Sequence, residues 1–88
     1  MAEEPIEVPI EDWIDLHTFQ PGEIRSVIEE YLYQTIRMGF AMVRIIHGRG
    51  IGVQREIVRS FLAGRPEVRG LEDTPDRGAT IVYLKPHA

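Results

Sequence analysis

The sequence predicts a small α/β domain in which the elements follow the order β-α-β-α-β-β. Three observations predict it: two helical patterns with apolar residues three and four apart, an apolar run before each, and two short segments joined by a turn. With 88 residues, 43% of them hydrophobic, the chain suffices for one modest core and no second domain.

The first half of the chain predicts an arm, a strand and a long helix. Residues 1–12 are acidic, contain two prolines and show no period, which is typical of an extended, partly disordered arm; the domain proper spans 13–85. In the strand 13–17, alternation puts Asp15 and His17 on one face. The helix begins at the Pro21 turn, and its apolar stripe is Ile24, Val27, Ile28, Tyr31, Leu32 and Ile36.

The second half predicts a strand, a helix and a hairpin. Residues 41–46 are nearly all apolar, as in a strand that is covered on both faces or lies centrally in a sheet. The helix 52–63 has the apolar stripe Val53, Ile57, Val58, Phe61 and Leu62. Two short strands, 67–71 and 79–84, flank a segment rich in Pro, Asp and Gly that favours a hairpin loop, 73–78.

A glycine-rich loop, His47-Gly48-Arg49-Gly50-Ile51-Gly52, joins the second strand to the second helix. Glycines at alternate positions let a backbone approach a ligand closely, and a helix N-terminus attracts anions, so the loop predicts a phosphate site. We expect Gly48, Gly50 and Gly52 to supply amides and Arg49 to grip the phosphate. A simple tight turn explains the glycines equally well, and their spacing is not that of a dinucleotide fingerprint.

Topology predicts that several of these residues meet. The first helix is long enough to be a crossover that leaves the first two strands parallel, so their carboxyl ends share one sheet edge. His17 ends the first strand and His47 the second, so both, with Asp15 and the glycine loop, are expected at that edge. Structural roles remain open: Asp15 could cap a turn, and His17 could be a hydrogen-bonded strand end.

Charge is unevenly distributed along the chain. The net charge is −4, yet residues 1–36 sum to −8, residues 37–69 to +5 and residues 70–88 to −1. Nine of the ten cationic side chains are arginine, which binds phosphate bidentately. Arg55 and Arg59, four apart on the second helix, fit a pair that tracks a nucleic-acid backbone or a solvated helix face. The acidic arm offers a surface for a protein partner.

Three further residues have a favoured structural interpretation. Trp13 shares the face of Asp15 and could stack on a base, but a small domain more often places its one tryptophan in the core. Arg44 interrupts an apolar strand, so we expect it to pair with a carboxylate or reach the rim of the sheet. His87, near the end of the chain, is expected to be exposed and idle.

Together these segments resemble a known family. Asp15-Leu16-His17, the glycine loop and Gly78-Ala79-Thr80-Ile81-Val82, in this order, are similar to the Smr (small MutS-related) domain, whose signatures are LDLHG and HGxG. The resemblance, to a stand-alone member, implies a two-layer α/β sandwich similar to the C-terminal domain of translation initiation factor three. It also implies endonuclease activity on DNA or RNA, in contexts such as repair, recombination or RNA quality control. Two positions depart from the signature: Ile14 replaces its first leucine and Thr18 its last glycine.

Phosphodiester hydrolysis assigns a role to each matched residue. His17 would be the general acid or base, and Asp15 would hold its tautomer or weakly bind Mg²⁺ or Mn²⁺. His47 would be a second proton donor or a phosphate contact, while Arg49 and the glycine amides stabilise charge. The alternative function is a non-catalytic nucleic-acid or ribosome-associated binding module.

Composition also restricts the cellular setting. The chain has no cysteine, so disulfides and thiolate metal sites are excluded, which suits the cytoplasm. No apolar run approaches the length of a membrane span, and we expect no membrane partner. The acidic start Met1-Ala2-Glu3-Glu4 is unlike a signal peptide, so the sequence predicts a soluble, unprocessed protein.

Overall fold

Four strands and two helices form two layers in the computed structural model, which describes residues 10–48 and 52–86. The predicted fold class and element order are confirmed, with a 3-10 turn at Pro21–Glu23 leading into the first helix. The strands are β1 (Trp13–Asp15), β2 (Met42–Ile46), β3 (Val68–Asp73) and β4 (Ala79–Leu84), and the helices are α1 (Ile24–Arg37) and α2 (Val53–Leu62). Predictions about most of the arm, Arg49, Gly50 and His87 lie outside the described residues.

The strands form one mixed sheet in the order β1-β2-β4-β3. β1 and β2 are parallel, as the crossover through α1 predicted, and β4 is antiparallel to both of its neighbours. The strand order confirms that the apolar segment 41–46 lies centrally. The parallel pairing also puts the ends of β1 and β2 at one edge, because Asp15 is in register with Ile46.

The core lies between the helices and one face of the sheet. The predicted stripe of α1 is confirmed, with Ile24, Ile28 and Leu32 almost fully buried. In α2, Val58 and Leu62 are fully buried, but the expectation for Val53 is wrong: its side chain is 46% exposed. Val53 is the first residue of α2 and does not belong to the core cluster, which is Leu16, Ile24, Ile28, Tyr31, Leu32, Val43, Ile45, Val58, Leu62, Val82 and Leu84.

The opposite face of the sheet is covered by neither helix. We call it the open face; strand alternation and register assign to it Trp13, Asp15, Met42, Arg44, Ile46, Ile81 and Tyr83. β2 is therefore covered on one face only, with Met42 46% exposed.

On this face the core position expected for Trp13 is wrong, and so is the carboxylate partner that was one of the two alternatives for Arg44. Trp13 is 44% exposed and lies outside the core, because alternation directs it away from the buried Leu16 and from both helices. Arg44 is exposed as well, and no described carboxylate forms an ion pair with it. The open face thus presents an aromatic ring and a cation to solvent.

Candidate functional site

Asp15 and His17 form a hydrogen-bonded pair at the end of β1. Asp15 Oδ1 accepts from the backbone amide of His17 at 3.0 Å and lies 2.8 Å from its ring Nδ1. The hydrogen bond from the His17 backbone amide lowers the pKa of the Asp15 carboxyl below its ordinary value, and the hydrogen bond from the His17 ring lowers it further. Because a carboxylate only accepts, Nδ1 carries a proton, and in the neutral ring Nε2 keeps its lone pair. The His17 side chain is 73% exposed, so this lone pair is open to a substrate.

The turn after this pair does not require the glycine of the family signature. It is closed by the Phe19 amide, which donates to the Leu16 carbonyl at 3.0 Å. Among the described non-glycine residues only Arg77 has a positive φ, so Thr18 adopts ordinary backbone geometry here. Thr18 is therefore compatible with the signature's turn without backbone strain.

Gln54 joins the same turn to the start of α2. Its side-chain amide donates to the carbonyls of Leu16 and Phe19, at 3.4 and 3.3 Å. The first turn of α2 is thereby held beside the backbone on either side of His17. Since the free amides of a helix start carry partial positive charge, an anion near His17 would be stabilised there.

His47 lies at the same edge but on the side of the sheet that faces the helices. It is buried, with 7% of its surface exposed. Its Nδ1 lies 3.0 Å from the Gly48 carbonyl, and its Nε2 lies 2.9 Å from the Thr80 hydroxyl. A carbonyl only accepts, so Nδ1 donates and, in the neutral ring, Nε2 accepts from Thr80.

This geometry differs from the role expected of His47. With both ring nitrogens bonded inside the protein, the ring is not presented for proton donation or phosphate contact, and it does not join Asp15 and His17. The backbone amides of His47 and Gly48 both donate to the Gly78 carbonyl, at 3.0 and 2.9 Å. His47 therefore anchors the start of the glycine loop to β4.

The glycine loop is described at its two ends. Gly48 and Gly52 have φ of 83° and 84°, a left-handed conformation that favours glycine, and Gly52 is the N-cap of α2. These values confirm the need for glycine at both ends of the turn. Arg49 and Gly50 lie outside the described residues, so the phosphate site remains a prediction.

Arg55 and Arg59 are not a free, solvent-facing pair. Arg55 donates to Asp73 Oδ2 at 2.6 Å and Arg59 to Asp73 Oδ1 at 2.7 Å. The hydrogen bond from Arg55, together with the charge of Arg59, lowers the pKa of the Asp73 carboxyl. Both guanidinium groups thus join α2 to the end of β3, while the side chains remain 27% and 34% exposed, and their contact with a nucleic-acid backbone stays a prediction.

The described residues do not form a metal site. No group of three His, Asp or Glu side chains comes together in 10–48 or 52–86. Asp15 offers one carboxylate, and its Oδ1 already accepts two hydrogen bonds. Mg²⁺ is commonly held by one or two carboxylates with waters and substrate phosphates, so Asp15 alone would bind such an ion weakly, with substrate oxygens completing its ligands.

Sequence reasoning missed Gln54, Thr80 and Asp73. Thr80 left a signal, since alternation along β4 places its hydroxyl on the buried face, where a polar group needs a partner. Gln54 and Asp73 left none, because their contacts join elements that are far apart in the chain. No described helix is long and apolar enough to span a bilayer.

Comparisons with known proteins agree with this architecture. The family model of the Smr domain matches residues 14–85. The MutS2 endonuclease of Thermomicrobium roseum is 31% identical over 80 residues, which are 86% of this chain and 10% of that protein. The MutS2 endonuclease of Caldicellulosiruptor bescii is 37% identical over 62 residues, 66% of this chain and 8% of that protein. The chain thus spans about a tenth of the length of these relatives.

Solved structures give the same result. The Smr domain of Thermus thermophilus MutS2 matches with a TM-score of 0.79 and 27% identity, over 84% of this chain and 98% of that one. YdaL, a stand-alone small MutS-related protein from Escherichia coli, shares the fold, with a TM-score of 0.78 and 23% identity over 84% of this chain and 64% of that one. The chain belongs to the Smr domain family.

Proposed function

We infer that this Smr domain is an endonuclease that hydrolyses phosphodiester bonds of DNA or RNA at the edge formed by Asp15 and His17. The observation that carries the proposal is the bond from His17 Nδ1 to Asp15, which leaves Nε2 of an exposed ring as a proton acceptor. The MutS2 relatives of this chain from Thermomicrobium roseum and Caldicellulosiruptor bescii are named endonucleases, which supports phosphodiester hydrolysis as the reaction.

The proposed reaction uses His17 first as a base and then as an acid. A water molecule attacks phosphorus and gives its proton to His17 Nε2, while the bond from phosphorus to the leaving oxygen breaks. The imidazolium then returns the proton to that oxygen. Asp15 keeps the ring in the required tautomer and stabilises its positive charge, as a carboxylate does in other histidine pairs.

Stabilisation of the phosphoryl oxygens is assigned to the start of α2. Gln54 holds this helix end beside the His17 turn, so its free amides are close to the proposed reaction site. Arg49 and the amides of the glycine loop would add positive charge. His47 acts indirectly, because it anchors that loop through Thr80 and Gly78.

A non-catalytic nucleic-acid reader is the second candidate. The observation that favours it is the absence of a group of three His, Asp or Glu side chains among the described residues, which leaves one Asp–His pair without a metal cluster. A reader would use the same positively charged helix end for phosphate and would show no turnover.

A cleavage and binding assay separates the two candidates. Its substrates are end-labelled single-stranded DNA, duplex DNA and RNA, each with Mg²⁺, Mn²⁺ or a chelator. We expect His17→Ala to lower the cleavage rate by about a hundredfold or more, since general acid–base catalysis contributes about 10²–10⁴. Asp15→Asn should slow cleavage while leaving binding intact. Asp12→Asn, which removes an exposed carboxylate three residues earlier, is the matched control and should cleave normally. Binding by every variant without cleavage by the wild type would establish the reader instead.

A further inference from the structure

The open face carries an aromatic ring and a cation side by side. Trp13 on β1 is in register with Arg44 on β2, and neighbouring strands lie about 4.8 Å apart, so the two side chains leave adjacent positions on one face. Trp13 is 44% exposed, although tryptophan in a small domain normally contributes to the core. Neither position is needed for the core described above.

Arg44 differs from the arginines of α2 and of the turn after it. Arg55, Arg59 and Arg65 each form an ion pair with a carboxylate. No described acid forms an ion pair with Arg44, so its charge is available to an external anion. On the far side of the open face, Tyr83 donates to Glu72 at 2.6 Å, which places negative charge toward the β3 edge. Among the described residues of the open face, Arg44 is therefore the cation in register with Trp13.

A cleft continues from Arg44 toward the glycine loop. It has a volume of about 700 Å³ and lies between the end of β2 and the β3–β4 loop, with Ile46, Gly48 and Pro75 among its walls. This volume is within the range of small-molecule sites, so a nucleobase fits. The wall also contains Asp76, whose Oδ1 accepts hydrogen bonds from the Thr74 hydroxyl at 2.8 Å and from the Gly78 amide at 2.9 Å. The cleft therefore offers a recess beside Arg44 for the base next to a phosphate that Arg44 binds.

We propose that the open face binds single-stranded nucleic acid, with one base stacked on Trp13, the adjacent phosphate on Arg44 and a neighbouring base in the cleft. This inference rests on the proposed function, and it names the substrate class. Asp15 follows Trp13 by two residues on the same face, so a strand lying on Trp13 and Arg44 leads directly to the Asp15–His17 pair.

The chemistry of the face favours an unpaired strand over the other occupants. A flat indole on a sheet can contact the face of a base only when that base is not stacked within a duplex. A second copy of this chain is disfavoured because Arg44 lies in the middle of the patch, and a two-fold interface centred there would bring the two Arg44 charges together. Single strands are bound by this combination of aromatic platform and cation.

The chain has one tryptophan, so its fluorescence reports on this face alone. We would titrate the protein with oligo-dT, oligo-U and a blunt duplex of equal length, recording tryptophan emission and the anisotropy of a labelled strand. The single strands should quench the emission saturably and the duplex should not. Trp13→Ala should weaken single-strand binding about tenfold or more, and Trp13→Phe should weaken it less.

Arg44→Ala provides an independent variant if the tryptophan substitution disturbs folding. It should weaken binding and reduce the slope of log affinity against log salt by about one, whereas Arg44→Lys should preserve the slope. Tyr33→Ala removes an aromatic side chain that is 55% exposed on α1, in the other layer, and it should bind like the wild type.

The outcomes separate this inference from the proposed function. Strong binding with unchanged emission and unaffected Trp13 and Arg44 variants would overturn the inference and leave the nuclease proposal standing. Self-association that Trp13→Ala abolishes would overturn it in favour of a dimer interface. Quenching by single strands in a wild type that cleaves nothing would support the inference and contradict the nuclease. Absence of any binding would overturn both.

Discussion

Thr80→Val tests whether the buried bond between Thr80 and His47 stabilises the loop edge. Valine has nearly the shape of threonine and suits a strand, so the change removes one hydroxyl and little else. Thr80 is fully buried and His47 is 7% exposed, so water does not readily replace the lost 2.9 Å bond to Nε2. A buried polar group without its partner costs about 1–3 kcal/mol. We expect the free energy of unfolding to fall by about 1–2 kcal/mol.

Urea denaturation followed by circular dichroism measures this change. For a small domain the urea dependence is about 1–3 kcal/mol per molar, so the midpoint should fall by roughly 1 M with an unchanged slope. The matched control is Thr35→Val, another fully buried threonine. Its hydroxyl donates to the Tyr31 and Leu32 carbonyls at 3.0 and 3.2 Å, and these carbonyls also accept helix amides.

The control variant leaves no buried polar group without a hydrogen-bond partner, so its free energy of unfolding should fall by no more than about 0.5–1 kcal/mol. If Thr80→Val is as stable as Thr35→Val, the proposed anchoring of His47 is refuted. A loss in Thr80→Val accompanied by slower cleavage, with Asp15 and His17 unchanged, would support the positioning role of His47.

Three shorter predictions concern other contacts. Asp15→Asn should destabilise the fold at neutral pH, because folding lowers the pKa of the Asp15 carboxyl below its value of 3.8 in the unfolded chain. The stability that this carboxylate contributes is present above pH 3.8 and is lost as the pH falls through the pKa of the folded state. In acid denaturation curves the gap to the wild type should therefore close below about pH 4. Arg77→Gly should raise the free energy of unfolding by up to about 1 kcal/mol, measured as a higher urea midpoint, because Arg77 has a φ of 62° and this left-handed conformation is strained for a residue with a Cβ atom. Tyr31→Phe should cost about 1 kcal/mol in thermal unfolding, since it removes the 2.6 Å bond to the Glu11 carbonyl.

Local patterns predicted the elements and the parallel edge. The spacing of Ile24, Ile28 and Leu32 dictated which face of α1 is buried, and the crossover fixed the direction of β2 relative to β1. The pairing of Asp15 with His17 was also predictable, because both lie on one face of a single strand.

Contacts between distant elements were not predictable. His47 was expected beside His17, but one further step of alternation past Ile46 directs its ring into the helix-facing side, toward Thr80. The bonds from Arg55 and Arg59 to Asp73 depend on how α2 packs against β3, and a single sequence does not encode that geometry locally. The core position predicted for Trp13 is wrong because it rested on composition, whereas strand alternation determines that the side chain is exposed.

Chemical rescue of His17→Ala is the first measurement to make. The variant would be incubated with the end-labelled single strand that the wild type cleaves, with increasing imidazole in the buffer at constant pH and salt. If His17 transfers the proton, imidazole should restore part of the lost cleavage in a saturable way, and it should leave the wild-type rate unchanged. Cleavage by His17→Ala at the wild-type rate without imidazole would contradict the role of the Asp15–His17 pair.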